Sequence, residues 1–151
     1  MKITFISDTH TKHEQLDLPG GDLLIHAGDL MNSGYSGYEI EDFCKWLQSQ
    51  NYDKCVFIAG NHDRLFEDTP ILVKDILDQF PNLIYLEDEL FGLYDLDTDR
   101  SVKIYGSPWQ PEFYNWAFNL PRNGKELEEK WNAIPKDTDI LITHGPPQGH
   151  L

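Results

Sequence analysis

Four short apolar runs constrain this chain more than any other feature. "KITFIS", "DLLIHA", "KCVFIA" and "DILIT" are rich in Ile, Leu, Val and Phe, and each stops at once on polar residues or glycine: "DTH", "GD", "GNHD" and "HG". Runs of this length and composition read as buried strands. Helical patterns lie between them, over Gly37–Gln50, over Pro70–Phe80 and, shorter, near Gly124–Ala133. Strand followed by helix, repeated, predicts an α/β core with parallel strands. The stretch Leu83–Gly106 alternates without a helical period and carries acidic turns, so it predicts hairpins at one side of that core. The expected architecture is therefore mixed β-sheets flanked by helices. With 151 residues and no repeats or linkers, the chain reads as one domain, 1–151.

Charge narrows the function. The formal net charge is −14, which repels nucleic-acid backbones and anionic membranes. A nucleic-acid polymer and a membrane surface are thus poor partners, and a small anionic substrate would need a local positive centre, for which metal ions are the natural source. No apolar run approaches transmembrane length, and the start "MKITFISDTH" is too short in apolar residues for a signal peptide. Cys44 and Cys55 make no disulfide framework and read as buried thiols, so the expected compartment is the reducing cytoplasm.

In open α/β sheets ligands bind outside the carboxyl ends of the strands. Here those ends deliver Asp8 and His10, then Asp29, then Asn61, His62 and Asp63, then His144. Any one of these alone reads as a turn, cap or structural group; four strand ends carrying His, Asp or Asn on one rim read as a site. The carboxylates Asp8 and Asp29, the imidazoles His10 and His144 and the amide oxygen of Asn61 suit divalent ions of intermediate hardness: Mn²⁺ first, with Fe, Zn or Mg as alternatives. Asp29 is short enough to bridge two ions about 3.5–4 Å apart. Gly28, Gly60 and Gly145 adjoin these positions, where the backbone is expected to turn sharply and pass close to the metals.

The blocks Asp8-Thr9-His10, Gly28-Asp29, Gly60-Asn61-His62-Asp63 and His144-Gly145 resemble, in order and spacing, the signature of the calcineurin-like metallophosphoesterases. "HAGD", "YGSPWQPEFYNWAFN" and "THGPP" resemble the branch that holds the metallophosphoesterase-domain proteins and class III cyclic-nucleotide phosphodiesterases. The resemblance implies the calcineurin-like fold and hydrolysis of phosphodiesters, cyclic nucleotides included, by a hydroxide between two divalent metals. It implies that Asp8, His10 and Asp29 hold one metal and that Asp29, Asn61 and His144 hold the second. His62 would stabilise the phosphoryl oxygens or protonate the leaving group, with Asp63 orienting its imidazole.

The same resemblance leads one to expect a further G-H-x-H block. "GPPQGHL" offers Gly149-His150 without the second His, so His150 reads as a loop residue and the chain as a domain incomplete at its C-terminus, a truncated form of a longer enzyme. The alternative is a catalytically impaired remnant that binds a metal or nucleotide or serves as an interaction module. Missing terminal strands would leave a sheet edge exposed, with association through it expected. The substrate expected is a small phosphate ester, a nucleotide among the candidates, with Trp109 as a stacking surface and Asn119 and Arg122 as polar contacts. Phe113 shares the stacking role; the aromatic run Trp109, Phe113, Tyr114, Trp116 and Phe118 otherwise reads as packing. His26 reads equally as support for the site or as a structural group, and His13 as exposed. Asp95, Asp97 and Asp99 have Ca²⁺-loop spacing but lack the Gly and Glu such a loop needs.

Overall fold

The computed structural model describes residues 1–96 and 98–146. Strands β1 (Ile3–Ile6), β2 (Gly21–Ala27), β3 (Tyr52–Ile58) and β4 (Leu83–Tyr85) form a parallel sheet in the order β1-β2-β3-β4. Strands β5 (Glu89–Asp95) and β6 (Arg100–Ser107) form the expected antiparallel hairpin. Two-residue strands β7 (Gln110–Pro111) and β8 (Asn119–Leu120) close a loop, and β9 (Ile140–Thr143) follows the helix before it. Helices α1 (Gly37–Ser49), α2 (Arg64–Asp68), α3 (Pro70–Leu77) and α4 (Lys125–Asn132) complete the set. Three of them match the helical patterns of the sequence; α2 is too short to show a period.

Period-two alternation in β2 and β3 builds two cores from one sheet. Leu24, Cys55 and Phe57 face the helices, where α1 contributes Ile40, Phe43, Cys44 and Leu47 at helical spacing and α3 contributes Val73 and Ile76. Leu23, Ile25, Val56 and Ile58 point the other way and pack on Ile104 and Ile142 of the second sheet. Both thiols are free and buried, and burial pushes Cys44 up to about 12 and Cys55 up to about 11, which leaves them inert as nucleophiles.

One strand lies elsewhere than its sequence suggested. β9 joins the second sheet, parallel to β6 with Ile104 opposite Ile140 and Ser107 opposite Thr143, while Leu83–Tyr85 takes the fourth place in the parallel sheet. Its burial there is one-sided, with Ile142 buried and Leu141 48% exposed, whereas β2 and β3 are buried on both faces over their C-terminal halves.

His13 also departs from expectation, being fully buried rather than exposed. Its ring lies between Phe43 and Trp46, and neither nitrogen has a hydrogen-bond partner. The Asp42 carboxylate stands 3.4 Å from Nε2, outside hydrogen-bond geometry. Burial lowers the pKa below the ordinary 6.5, against the pull of Asp42 and Glu14. A His neutral in the fold but free to charge when unfolded leaves stability intact above pH 6.5 and drains it as pH falls towards the folded value. Urea unfolding at pH 7.5 and 5 should therefore show His13→Leu losing less stability on acidification than the parent. The difference should grow by up to about 1.4 kcal/mol per pH unit. Equal losses would contradict this role for His13.

Candidate metal centre

The rim of the parallel sheet holds the polar strand ends. β1 runs into Asp8 and His10, β2 into Asp29 and β3 into Asn61 and His62; His144 arrives from β9 in the other sheet. The backbone there is strained: φ is +54° at Asp8, +43° at His10, +62° at Thr11 and +60° at Asp29, with Gly28 at +97°. Non-glycine residues take this left-handed region at a cost, and their concentration on one rim marks a site where side-chain direction outranks backbone comfort.

The three imidazoles are tethered alike. Nδ1 of His10 donates to the Met31 carbonyl at 3.0 Å, Nδ1 of His144 to the Ala27 carbonyl at 2.8 Å, and Nδ1 of His62 to the Asn32 carbonyl at 3.2 Å. A carbonyl only accepts, so each Nδ1 carries a proton and Nε2 is the nitrogen turned to the rim. Nε2 of His10 lies 3.7 Å and Nε2 of His144 3.4 Å from Oδ2 of Asp29, and the latter is 3.0 Å from Oδ1 of Asn61. Oδ1 of Asp29 accepts the His62 backbone N–H at 2.7 Å. Asp29, buried, is thus the common member of two triads, Asp8–Asp29–His144 and His10–Asp29–His62, whose ligand atoms all lie within 4.8 Å of one another in each. This partition differs from the expected one: Asp8 sides with His144, and His62 stands among the ligand atoms.

Electrostatics fit a cation at this point. Burial opposes charge on the His144 ring, yet the Asp29 carboxylate, helped by the Ala27 carbonyl and Asp8, lifts it to about 9. Asp29, despite its own burial, is held below the usual carboxylate range by His144 and the His62 amide. A proton therefore sits on Nε2 of His144 between two oxygen ligands, where a metal ion would exchange with it.

Asp63 does something other than orient His62. It is fully buried, and its oxygens accept four backbone N–H groups: Asp29 at 2.9 Å, Leu30 at 3.3 Å, Met31 at 2.8 Å and Gly60 at 2.7 Å. Burial raises its pKa to about 7 against those donors. Asp63 binds the end of β3 to the loop after β2, and the Asn32 carbonyl holds His62. Glu39 in turn accepts the Asn32 and Ser33 amides at 3.0 and 3.4 Å and the Ser33 hydroxyl at 3.0 Å, fixing that loop.

At Gly60 the strand ends approach one another too closely for a side chain. A Cβ there would stand 2.3 Å from Oδ1 and 2.4 Å from the amide of Asp29, and one at Gly28 would stand 2.8 Å from the Gly60 backbone. Gly145 is different: its nearest neighbours would be Gln110 atoms at 3.6 Å, an ordinary contact, so no close approach requires glycine there.

The three expected substrate residues are placed otherwise. Trp109 donates its indole N–H to Asp88 at 2.9 Å, has Lys130 over its ring, and lines a cavity of about 660 Å³ with Leu90, Tyr105 and Leu120. The Asn119 amide donates to the Phe113 and Tyr114 carbonyls at 3.1 and 2.9 Å and its oxygen accepts from Gln110, so it shapes its loop. Arg122 is exposed and has no ion pair among the described residues. Phe113 stays exposed, its ring against Tyr114. The aromatic group at the cluster is Trp116, whose ring lies 4.2 Å from that of His62 at 30°. Its loop is anchored by the Ala117 amide to the Asn61 carbonyl, by Arg64 to the Asn115 carbonyl and by the Phe118 amide to Glu67. Its membership of the aromatic run was the only signal in sequence. His150 lies outside the described residues.

With this geometry in hand, comparison with known proteins is decisive: the profile of the calcineurin-like phosphoesterases matches residues 1–151. The chain belongs to that family. Human metallophosphoesterase domain-containing protein 1 is 44% identical over 160 residues, covering 97% of this chain and 48% of its own length. The Caenorhabditis elegans UPF0046 protein T07D4.2 is 37% identical over 177 residues, covering 98% and 43%. This calcineurin-like phosphoesterase thus spans about half the length of the curated relatives it matches, and it falls in the metallophosphoesterase-domain branch. A crystal structure superposes with a TM-score of 0.65 over 97% of this chain and 70% of its own, at 12% identity, a likeness of fold. Among the described residues no helix is long and apolar enough to cross a membrane.

Proposed function

We propose that this chain carries the catalytic centre of a divalent-metal-dependent phosphodiesterase. The observation that carries the reading is the tethering of three imidazoles through Nδ1 to main-chain carbonyls, with Asp29 shared between both triads. Second partners of this kind fix ring orientation and raise the basicity of the ligating nitrogen. Asp8, Asn61 and His144 would hold one ion and His10 and His62 the other, with Asp29 between them; the mixed nitrogen and oxygen set favours Mn²⁺, then Fe, Zn or Mg. Bound there, the ions supply Lewis-acid stabilisation of phosphoryl oxygens and a water of lowered pKa.

Charge favours diesters over monoesters. Among the described residues, Arg64 beside the rim is committed to the Asn115 carbonyl and to Asp68 at 3.9 Å, which leaves its guanidinium unavailable to a monoester's second charge. Trp116, with Tyr114 and Phe113 exposed in the same loop, offers flat surface beside His62, which supports a planar leaving group such as a nucleoside. With its Nδ1 proton donated to the Asn32 carbonyl, His62 would present Nε2 to the ion it shares with His10.

The test compares bis-p-nitrophenyl phosphate with p-nitrophenyl phosphate. Mn²⁺ should stimulate hydrolysis of the diester well above that of the monoester, and exhaustive chelation should abolish it. Undiminished turnover after chelation would sink the metal reading; a preference for the monoester would sink the diester reading.

A further inference from the structure

We propose that His26 is a positioning residue that clamps the two strained loops carrying Asp8, His10 and Asp29, acting through the Thr9 hydroxyl on one side and the Gly28 amide on the other. The proposal rests on the reading of this rim as a metal centre, and it concerns what keeps the rim in shape before any ion arrives.

His26 stands in β2, wholly buried, with its ring against the edge of Phe43 at 4.9 Å. Nδ1 accepts the Gly28 N–H at 3.2 Å, so that nitrogen has no proton of its own. The neutral ring then carries its proton on Nε2, which donates to Oγ1 of Thr9 at 3.0 Å. This tautomer is opposite to that of His10, His62 and His144, whose Nδ1 atoms face carbonyls. Burial, with His144 close by, depresses the pKa to about 3, in keeping with a ring that stays neutral.

The two bonds land on the residues that matter for the rim. Thr9, itself only 7% exposed, sits between Asp8 and His10, and Gly28 precedes Asp29. These neighbours all have positive φ, as does Thr11, so the conformation must be held from outside. Three backbone bonds latch the loops along their length, from the amides of Asp8, His10 and Thr11 to the carbonyls of Gly28, Asp29 and Leu30 at 2.9, 3.0 and 3.0 Å. His26 adds the cross-brace beneath that latch. Without it, the Thr9 side chain loses its partner and the Asp8 and His10 directions are free to drift. The histidine of "HAGD" thus has a task of its own: it neither ligates nor touches substrate.

Thr9→Val is the cleanest probe, because it removes the hydroxyl at nearly constant volume. His26→Leu removes both bonds; His26→Gln can still donate towards Thr9. In the metal-free chain, hydrogen exchange at the amides of Asp8, His10 and Thr11 should accelerate at least about tenfold in Thr9→Val and His26→Leu. The amides of β2 and β3 should stay as protected as in the parent. Mn²⁺ affinity, measured by calorimetry, should fall about 10–100-fold in both variants, with partial recovery in His26→Gln. Combining His26→Leu with Thr9→Val should cost little more than His26→Leu alone. Unchanged exchange at the three loop amides in a folded Thr9→Val would overturn the proposal whatever the metal does, and so would unchanged Mn²⁺ affinity. Faster loop exchange in the variants of a parent that binds no Mn²⁺ would support the clamp and overturn the metal reading instead.

Discussion

Replacing Asp29 by Asn is expected to lower phosphodiester hydrolysis by on the order of 10³-fold or more and to abolish tight binding of both ions, while the chain still folds. Among the described residues Asp29 is the side chain common to both triads, so its loss removes a ligand from each. The substitution keeps the volume and one acceptor: Oδ1 can still receive the His62 amide, now at 2.7 Å. What it removes is the charge facing Nε2 of His10 and of His144, 3.7 and 3.4 Å away, and with it the oxygen both ions would share. Asp8→Asn should do less, roughly 10–10²-fold, because Asp8 is exposed and belongs to one triad. The checks are turnover of bis-p-nitrophenyl phosphate and the rise in unfolding temperature that saturating Mn²⁺ gives the parent, which Asp29→Asn should lack. An Asp29→Asn chain that still gains that stabilisation in full would show the ions to be held elsewhere.

Gly60→Ala should be a severely damaging change for a single methyl, costing about 3–5 kcal/mol of stability and the metal site with it. The new Cβ would meet the Asp29 amide at 2.4 Å, Oδ1 at 2.3 Å and Cε1 of His144 at 2.9 Å. Backbone cannot rotate away as a flexible side chain would, and the Asp29 backbone is pinned by the Asp63 carboxylate from below. Gly145→Ala is the matched control beside another member of the cluster. Its Cβ would meet atoms no nearer than 3.6 Å, so the cost should stay within about 0.5 kcal/mol. Urea denaturation of the two variants against the parent reads both numbers. Equal and small losses would mean that the strand ends approach less closely than they do here.

Strand ends were the legible part of this molecule. β1, β2 and β3 announce themselves as apolar runs, and the residues that follow them meet in space because parallel strands deliver their carboxyl ends to one rim. The sheet to which β9 belongs was not legible, since "ILIT" shows that a strand exists and nothing about its neighbour; only its one-sided burial tells, and burial is a tertiary property. The family resemblance implied that Asp63 orients His62, yet adjacent residues on a turn point apart, and Asp63 turned inward to four amides. Trp116 went unrecognised because an aromatic run has several members and the loop's anchors, Arg64 and Glu67, lie on α2, far away in sequence. His13 read as exposed between charged neighbours, Lys12 and Glu14, that give no sign of a core position, while its ring is claimed by Phe43 and Trp46.

The most direct test of the account is electron paramagnetic resonance during a Mn²⁺ titration of the metal-free chain. Two ions sharing Asp29 would lie about 3.5–4 Å apart, close enough for their spins to couple. The expected result is a coupled spectrum that saturates at two Mn²⁺ per chain and disappears in Asp29→Asn. A single uncoupled Mn²⁺ signal, or one unchanged in Asp29→Asn, would contradict a shared two-metal centre on this rim.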